Sequence, residues 1–571
     1  MLDGMRLDPE HRARTWEALR DGRIDVLVIG GGVTGAGTAL DAVTRGLSVA
    51  LVEARDWASG TSSRSSKLFH GGLRYLEQLN FSLVREALRE RDLMLSRIAP
   101  HLVKPVPFLY PLQHRAWERP YVGVGLTLYD RMAGTSRILP RHRHYTRTGA
   151  LKLCPALRRD ALVGAVRYFD AQTDDARHTL TVVRTAARFG ALVRSSTEVV
   201  DLLREGDRVV GAVLRDVETG EQVQANARVV INATGVWTDD IQRLAGGRGR
   251  FRVRASKGVH IVVPRDRIAS ETGLIVRTAT SVLLVIPWGS RWVIGTTDTD
   301  WNLDRAHPAA TRTDIDYLLE HVNELLAVRL TRDDVQGVYA GLRPLLSGES
   351  ESTSQLSREH AVARPQPGLV SLAGGKYTTY RLMAAEAVDA AAADLGQRLH
   401  PSVTEHVPLV GADGYHALVN QVSELGERYR IPPWRMLHLL DRYGSLATEV
   451  LETAEDDPQL LEPLPCAEEY LRAEIRYGAT HEGALHLDDL LARRTRLSIE
   501  YGHRGTASAQ AAAELVADVL HWDTAQAEQE VETYVLRVKA EMASQELPTD
   551  EAADEARRAA PDSRARLVAP R

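Results

Sequence analysis

The run IDVLVIGGGVTGAGTALDAVTRGLSVALVEARD, which begins at Ile24, leaves the chain few folds to choose from. Residues 26–29 are apolar without alternation, as suits a parallel strand buried on both faces. The spacing predicts a helix over 34–45, with Gly46 placed to end it, and a second strand over 48–52. That is a βαβ unit, the first unit of a doubly wound α/β fold. Gly30, Gly32 and Gly35 spell GxGxxG at its first turn. The first glycine permits the turn, the second lets a pyrophosphate approach the backbone, and the third lets the helix pack closely on the sheet. Any tight βα turn uses such glycines, so the pattern alone is weak. Here a strand precedes it, a helix follows, and Glu53 stands at the tip of the second strand, where a carboxylate reaches ribose hydroxyls. The unit reads as a dinucleotide site.

At 571 residues the chain is too long for one core, and two or three domains are expected. Its 44% apolar and 26% charged residues exclude disorder of the whole chain. With 71 Lys+Arg against 76 Asp+Glu the net charge is -5, so no global field collects nucleic acid or an anionic membrane, and any anion site is local. Cys154 and Cys466 stand in no metal-ligand or disulfide spacing, which points to a reducing cytoplasm and no metal site. The N-terminal MLDGMRLDPEHRARTWEALRDGR is too polar for a secretory signal, and no window reaches the ~18 apolar residues of a membrane span.

Farther along, RVRASKGVHIVVP, SVLLVIP and RWVIGTTDT predict antiparallel strands of a second layer. RVVINATGVWTDDI and LVSLAGGKYTTYRLMAAEAVDAAAADLG each predict a buried strand running into a glycine turn. The dinucleotide domain is therefore discontinuous, at 23–80, 151–250 and 341–398. The second layer takes 81–150 and 251–340, after an N-terminal extension at 1–22. Residues 399–545 read as an all-α unit, and 546–571, charged with little to bury, as a disordered tail.

Glycine-bearing strand ends recur at Ala233-Thr234-Gly235 and at Gly374-Gly375-Lys376. Strand ends so far apart suggest one long cofactor gripped along its length, which favours FAD over a nicotinamide. Directly after the first unit lies TSSRSSKLFHGGLRYLE, dense in hydroxyls and cations. Together with IGGGVTGAG, NATGVW, KGVHIVVP, IGTTDT, GLRPL and LAGGKYTTYR, in this order, it resembles the FAD-dependent glycerol-3-phosphate dehydrogenase family, from about residue 20 to about 540.

The resemblance implies a discontinuous Rossmann-like FAD-binding domain similar to that of D-amino-acid and glycine oxidases. An antiparallel-sheet substrate domain roofs the flavin, and an all-α C-terminal domain follows. It implies oxidation of sn-glycerol 3-phosphate to dihydroxyacetone phosphate, with hydride passing to flavin N5 and electrons to a membrane quinone. The implied location is cytoplasmic, peripheral on the inner face of the cell membrane, with room for a homodimer. Ser65, Ser66 and Lys67 are expected to bond the cofactor, together with Gly235, Gly375 and Thr378. Arg74 and Tyr75 are expected to face the substrate, and Arg358 to add a phosphate ligand, because a phosphate dianion suits guanidinium forks and hydroxyl donors.

His260 lies on an alternating strand and is either a core histidine or the acceptor of the C2 hydroxyl proton. Arg343, between apolar neighbours, is either a structural ion pair or a group over the flavin. Lys376 follows two glycines at a helix start, where a cation stabilises charge on reduced flavin or merely caps the turn. Arg343 and Lys376 are rival proton acceptors to His260. Val236 in NATGVW replaces the proline common in the family.

Three alternatives stay open. One is an oxidase that passes electrons to oxygen, which peroxide yield distinguishes. Another is a silent flavin-binding scaffold, against which His260, Arg343, Lys376 and Arg74 together speak. The third is an amine oxidase, which grips a carboxylate with fewer cations. Arg493, Arg494 and Arg496, beside Leu490, Leu491 and Leu497, offer a face for anionic lipid or for another domain.

Overall fold

The computed structural model describes residues 5–72, 80–114, 116–133, 138–246, 251–278, 282–346 and 360–567. Its first sheet grows from the βαβ unit. Arg23–Ile29 and Val49–Val52 pair in parallel, joined by the helix Val33–Thr44, and Gly46 at φ 83° turns the chain after it. Gln222–Asn232 joins Arg23–Ile29 in parallel on the other side, and Leu369–Gly374 lies parallel beyond it. Val26, Leu27 and Val28 are fully buried, as their unbroken apolar run requires. The helices Val33–Thr44, Asp175–Arg188 and Tyr380–Leu395 cover one face.

The other face carries the antiparallel pair Thr197–Glu205 and Arg208–Asp216 and the N-terminal helix Pro9–Asp21. Trp16 and Leu19 of that helix join the core, and Arg12 pairs with Asp216 at 3.1 Å. The extension therefore closes the outer face of the first sheet.

The second sheet is mostly antiparallel. Val253–Pro264 runs at its centre between Gly337–Leu346 and Arg291–Gly295, and Gly273–Arg277 joins Val103–Leu112. Two expected boundaries move. Gly164–Thr173 pairs with Val103–Leu112, so this layer continues past 150; Gly337–Leu346 also belongs to it, and described residues rejoin the first sheet at His360–Gln366. Pairing over such separations is tertiary, and the apolar runs of the two sheets look alike in sequence.

The helical unit after residue 400 docks through charge. Asp56, fully buried, accepts from Arg493 at 2.5 Å and from two nitrogens of Arg494 at 2.7 Å. Arg496 reaches Asp174 at 2.8 Å and also pairs with Asp175. These arginines are thus no lipid-facing surface; each is at most 5% exposed and faces an acid from another part of the chain.

Of the tail expected to be disordered, the described residues 546–567 are ordered. Asp550–Arg558 is a helix, Lys257 pairs with Asp314 and Asp550, and Arg564 forks onto Asp489 at 2.9 and 3.0 Å. Ion pairs, with a small apolar contact of Leu547 and Ala553, hold it, and hydrophobic patterning does not register them.

Breaking a buried ion pair by removing one partner costs about 3–5 kcal/mol. Asp56→Asn should lower the calorimetric unfolding temperature of the protein by several degrees, and an unchanged midpoint would show that the cluster adds nothing to docking.

Candidate functional site

Parallel pairing brings the ends of four strands to one edge. Ile29 is level with Val52 and with Asn232, and Asn232 is level with Ser371. Glu53, Gly30 and Ala233 therefore open side by side, and Gly374 follows two residues beyond their level on the next strand, so the row spans three strand spacings, about 14 Å. Above this edge lies a cavity of about 2350 Å³, walled on the other side by the second sheet. Single drug-sized ligands occupy about 300–1,000 Å³, so this volume has room for a dinucleotide and a further small substrate.

The edge is shaped for a close-lying chain of phosphates. Gly30 has φ 111°, and a Cβ there would lie 2.7 Å from the Ala233 carbonyl oxygen. A Cβ at Gly35 would lie 1.9 Å from the Gly30 carbonyl oxygen, which is the close packing of helix on strand. Gly32 caps the helix Val33–Thr44, whose first amide donates to Ser62 Oγ at 2.9 Å. Glu53 accepts from the amides of Gly31 at 2.6 Å and Arg55 at 2.8 Å; burial pushes its carboxyl up. These residues fit FAD: glycines where a Cβ would obstruct, a helix start for the pyrophosphate, and a fixed carboxylate for the ribose.

At the other end of the strand row, Gly374 and Gly375 have φ 78° and 79°, and Lys376 borders the cavity at the start of the turn Tyr377–Thr379. Thr378 Oγ1 accepts from the His70 amide at 3.2 Å, tying this turn to the donor-rich segment. Gly235, at φ 58°, also borders the cavity, and the neighbouring Val236 carbonyl accepts from Arg305 at 2.9 Å.

From the second sheet come His260 and Arg343. His260 stacks on Tyr339, its cross-strand partner, at 4.7 Å and 9°. Its Nε2 is 2.9 Å from Ser66 Oγ, and its Nδ1 is buried with no hydrogen-bond partner. Burial first, then the charges of Arg343 and Lys67, hold the imidazole well below its usual pKa, so it is neutral at pH 7. Arg343 donates to Thr296 Oγ1 and the Thr297 carbonyl, both at 3.1 Å, with Asp298 at 3.5 Å.

Of the expected residues, His260, Arg343, Lys376, Gly30, Gly32, Glu53, Ser65, Ser66, Gly235, Gly375 and Thr378 border this one cavity. Lys67 does not. It is fully buried at φ 58°, with Nζ 2.7 Å from Asp175 and 3.2 Å from the Ser63 carbonyl, and it fixes the loop from behind. Ser65 likewise spends its hydroxyl on Asp175 at 2.7 Å. Arg74, Tyr75 and Arg358 lie outside the described residues. The sequence reading missed the roles of Ser62, Thr296 and Asp298, although the hydroxyls of IGTTDT were a visible sign. It also missed a buried chain in which Gly71 N donates to Tyr129 Oη at 2.9 Å, while Tyr129 and Arg91 donate to Asp170 at 2.6 and 2.8 Å. That chain fixes the Gly71-Gly72 turn.

Comparison with known proteins agrees with this geometry. The profile of the FAD dependent oxidoreductase family matches residues 25–381, and that of the C-terminal domain of alpha-glycerophosphate oxidase matches 402–527. Glycerol-3-phosphate dehydrogenase 2 of Mycobacterium tuberculosis is 61% identical over 564 residues, 99% of this chain and 96% of that protein. The human mitochondrial glycerol-3-phosphate dehydrogenase is 37% identical over 92% of this chain and 74% of its own. Among solved structures, the glycerol-3-phosphate dehydrogenase of Bacillus halodurans complexed with FAD aligns with TM-score 0.77 and 28% identity, over 93% of this chain and 98% of that one.

A side chain at Gly30 meets both the left-handed backbone and the Ala233 carbonyl. Gly30→Val should give protein purified without flavin absorbance, whereas normal flavin content would show that this turn does not carry the cofactor.

Proposed function

The chain belongs to the FAD-dependent glycerol-3-phosphate dehydrogenase family, and from that premise we propose that it oxidises sn-glycerol 3-phosphate to dihydroxyacetone phosphate and passes the electrons to a membrane quinone. One observation carries the reading: His260 and Arg343 of one sheet and Lys376 of the other border a single cavity beside a dinucleotide cradle. FAD bound there supplies the hydride acceptor for the C2 hydrogen.

The protein's own groups handle the remaining charges. The C2 hydroxyl loses its proton as the hydride departs. Neutral His260 receives that proton at Nε2, with Ser66 Oγ at 2.9 Å as the bridging hydroxyl. Arg343, held in place by Thr296, Thr297 and Asp298, stabilises the oxygen as it becomes a carbonyl. Lys376, at the start of a helical turn, stabilises negative charge on the reduced cofactor. Arg74, Tyr75 and Arg358 are the proposed phosphate ligands, on the strength of the sequence resemblance.

The helix Glu118–Met132 supports contact with a membrane surface. Trp117, Tyr121 and Val124 are 54%, 48% and 71% exposed, and Tyr121, Val124 and Leu128 also border the cavity. An apolar rim of this kind suits a quinone arriving from lipid. No helix among the described residues is long and apolar enough to cross a membrane. Oxygen is the competing acceptor, since the C-terminal match is to an oxidase domain. Peroxide formed per substrate oxidised, measured against reduction of a soluble quinone, decides between them.

His260→Asn should lower kcat about 10²–10⁴-fold while flavin content is kept, as expected on loss of a general base. Because the folded pKa lies well below 6.5, the basic form persists as pH falls from 7 through 6.5. The acid limb of kcat/KM should therefore lie below pH 6.5, and a limb at or above it, or a His260→Asn enzyme of normal kcat, would exclude this role. Gly295 is opposite His260, and a Cβ there would lie 2.2 Å from the ring. Gly295→Ala should slow turnover on the order of 100-fold with flavin retained, as measured by steady-state quinone reduction.

A further inference from the structure

Beneath the 55–64 segment, walled off by the helical unit and by the C-terminal strap, residues 550–567, lies a second chamber of about 130 Å³. It is well under the size of a drug-like pocket but has room for several waters or one small ion. Arginines dominate its lining. Most are accounted for: Arg55 pairs with Asp562 at 2.9 Å, Arg493 with Asp488 at 2.7 Å, Arg496 with Asp174 at 2.8 Å, and Arg564 with Asp489 at 2.9 Å. Glu530 is taken by His486 at 2.8 Å.

Four guanidinium groups remain, those of Arg64, Arg504, Arg537 and Arg557. Among the described lining residues one carboxylate is left for them, Glu541, at 2.9 Å from Arg557 and 3.7 Å from Arg504. Arg64 and Arg537 donate only to neutral carbonyls, Arg64 to Ala306 at 3.2 Å and Arg537 to Arg557 and Ala560 at 2.9 and 3.2 Å. Buried donors are left over as well. Arg504 is 5% exposed, and its Nε and Nη1 make no hydrogen bond; the same holds for Arg537 Nη2 and Arg557 Nε.

Burial, then the charge of Arg557, pushes Arg64 and Arg537 down to about 10, so both remain charged at neutral pH. Asp488 and Asp562 lie near enough to favour the charges on Arg64 and Arg537, but both are bonded to other cations, so the four guanidinium groups outnumber the acids around them and leave buried donors unbonded, which is costly because buried charge is normally paired and buried donors normally bonded. A tetrahedral oxyanion would supply both the charge and the acceptors, and guanidinium forks are the groups that bind it best.

We propose that this chamber is a binding site for a small inorganic oxyanion of the phosphate class. The anion would be held by Arg64, Arg504, Arg537 and Arg557, and it would lock the strap that ends the chain over the cofactor cavity. The link to the strap is direct. Arg557 is on the strap helix, and Asp562, which joins Arg55 at 2.9 Å and His307 at 2.8 Å, borders both the chamber and the cofactor cavity. An anion that fixes the strap therefore slows escape of the cofactor.

The test uses the holoenzyme in millimolar inorganic phosphate against chloride at equal ionic strength, with thermal midpoint and rate of flavin release as readouts. Phosphate should raise the midpoint saturably, by about 2 °C or more, and slow flavin release. The effect should disappear in Arg504→Gln and in Arg557→Gln, and should persist in Arg343→Gln, which faces the other cavity. If Arg504→Gln does not fold, Arg557→Gln, on a solvent-bordered helix, decides alone. A phosphate effect no greater than that of chloride, or one kept in the Arg557 variant, overturns the proposal. So does one lost in Arg343→Gln, which would place the phosphate in the substrate cavity.

Discussion

Everything in this molecule depends on the register of four parallel strand ends. Because Ile29, Val52, Asn232 and Ser371 are held level by backbone hydrogen bonds, four separate pieces of sequence deliver their turns to one edge. Glu53, Gly30, Gly235 and Gly375 have no other means of meeting. The close contacts at Gly30 and Gly35 fix the helix start beside them, and the N-terminal helix closes the far face. A one-residue slip of any of these strands would turn its buried side chains to the wrong face and carry its turn away from the cofactor.

The second sheet walls this cradle and brings the proposed catalytic groups His260 and Arg343 to it. Its central strand places His260 between Tyr339 and Gly295, and the pairing of Ser256 with Arg343 sets the arginine four residues, two repeats of the pleat, farther along. The two groups influence each other, since the arginine helps hold the imidazole neutral. Charge also does the work of joining domains. Asp56 and Asp175 each collect cations from distant segments, and the strap at the end of the chain is pinned by Asp550, Asp562 and Arg564. Such pairs orient more than they stabilise, which suits a wall that must close around a cofactor.

What could be read in the sequence was local. The βαβ unit, its glycines and Glu53 lie within a single unit, and their roles follow from backbone geometry that few other residues satisfy. His260 and Arg343 were legible as anomalies, polar groups on apolar strands. Lys67 was misread because the acid that neutralises it, Asp175, is distant in sequence, and nothing near Lys67 shows that it turns inward. For the same reason the arginines at 493, 494 and 496 left open lipid or another domain, and they face another domain. The tail looked disordered because its order rests on ion pairs formed with Lys257, Arg55 and Asp489, all contributed by other parts of the chain.

The most direct measurement of the central claim is anaerobic titration of the purified flavoprotein, watching the flavin's visible absorbance. Stoichiometric bleaching by sn-glycerol 3-phosphate, with none by glycerol or glycine, is the result this arrangement of cradle, histidine and arginine predicts. Flavin that stays oxidised in the phosphate ester, or bleaches equally with glycerol, would contradict it.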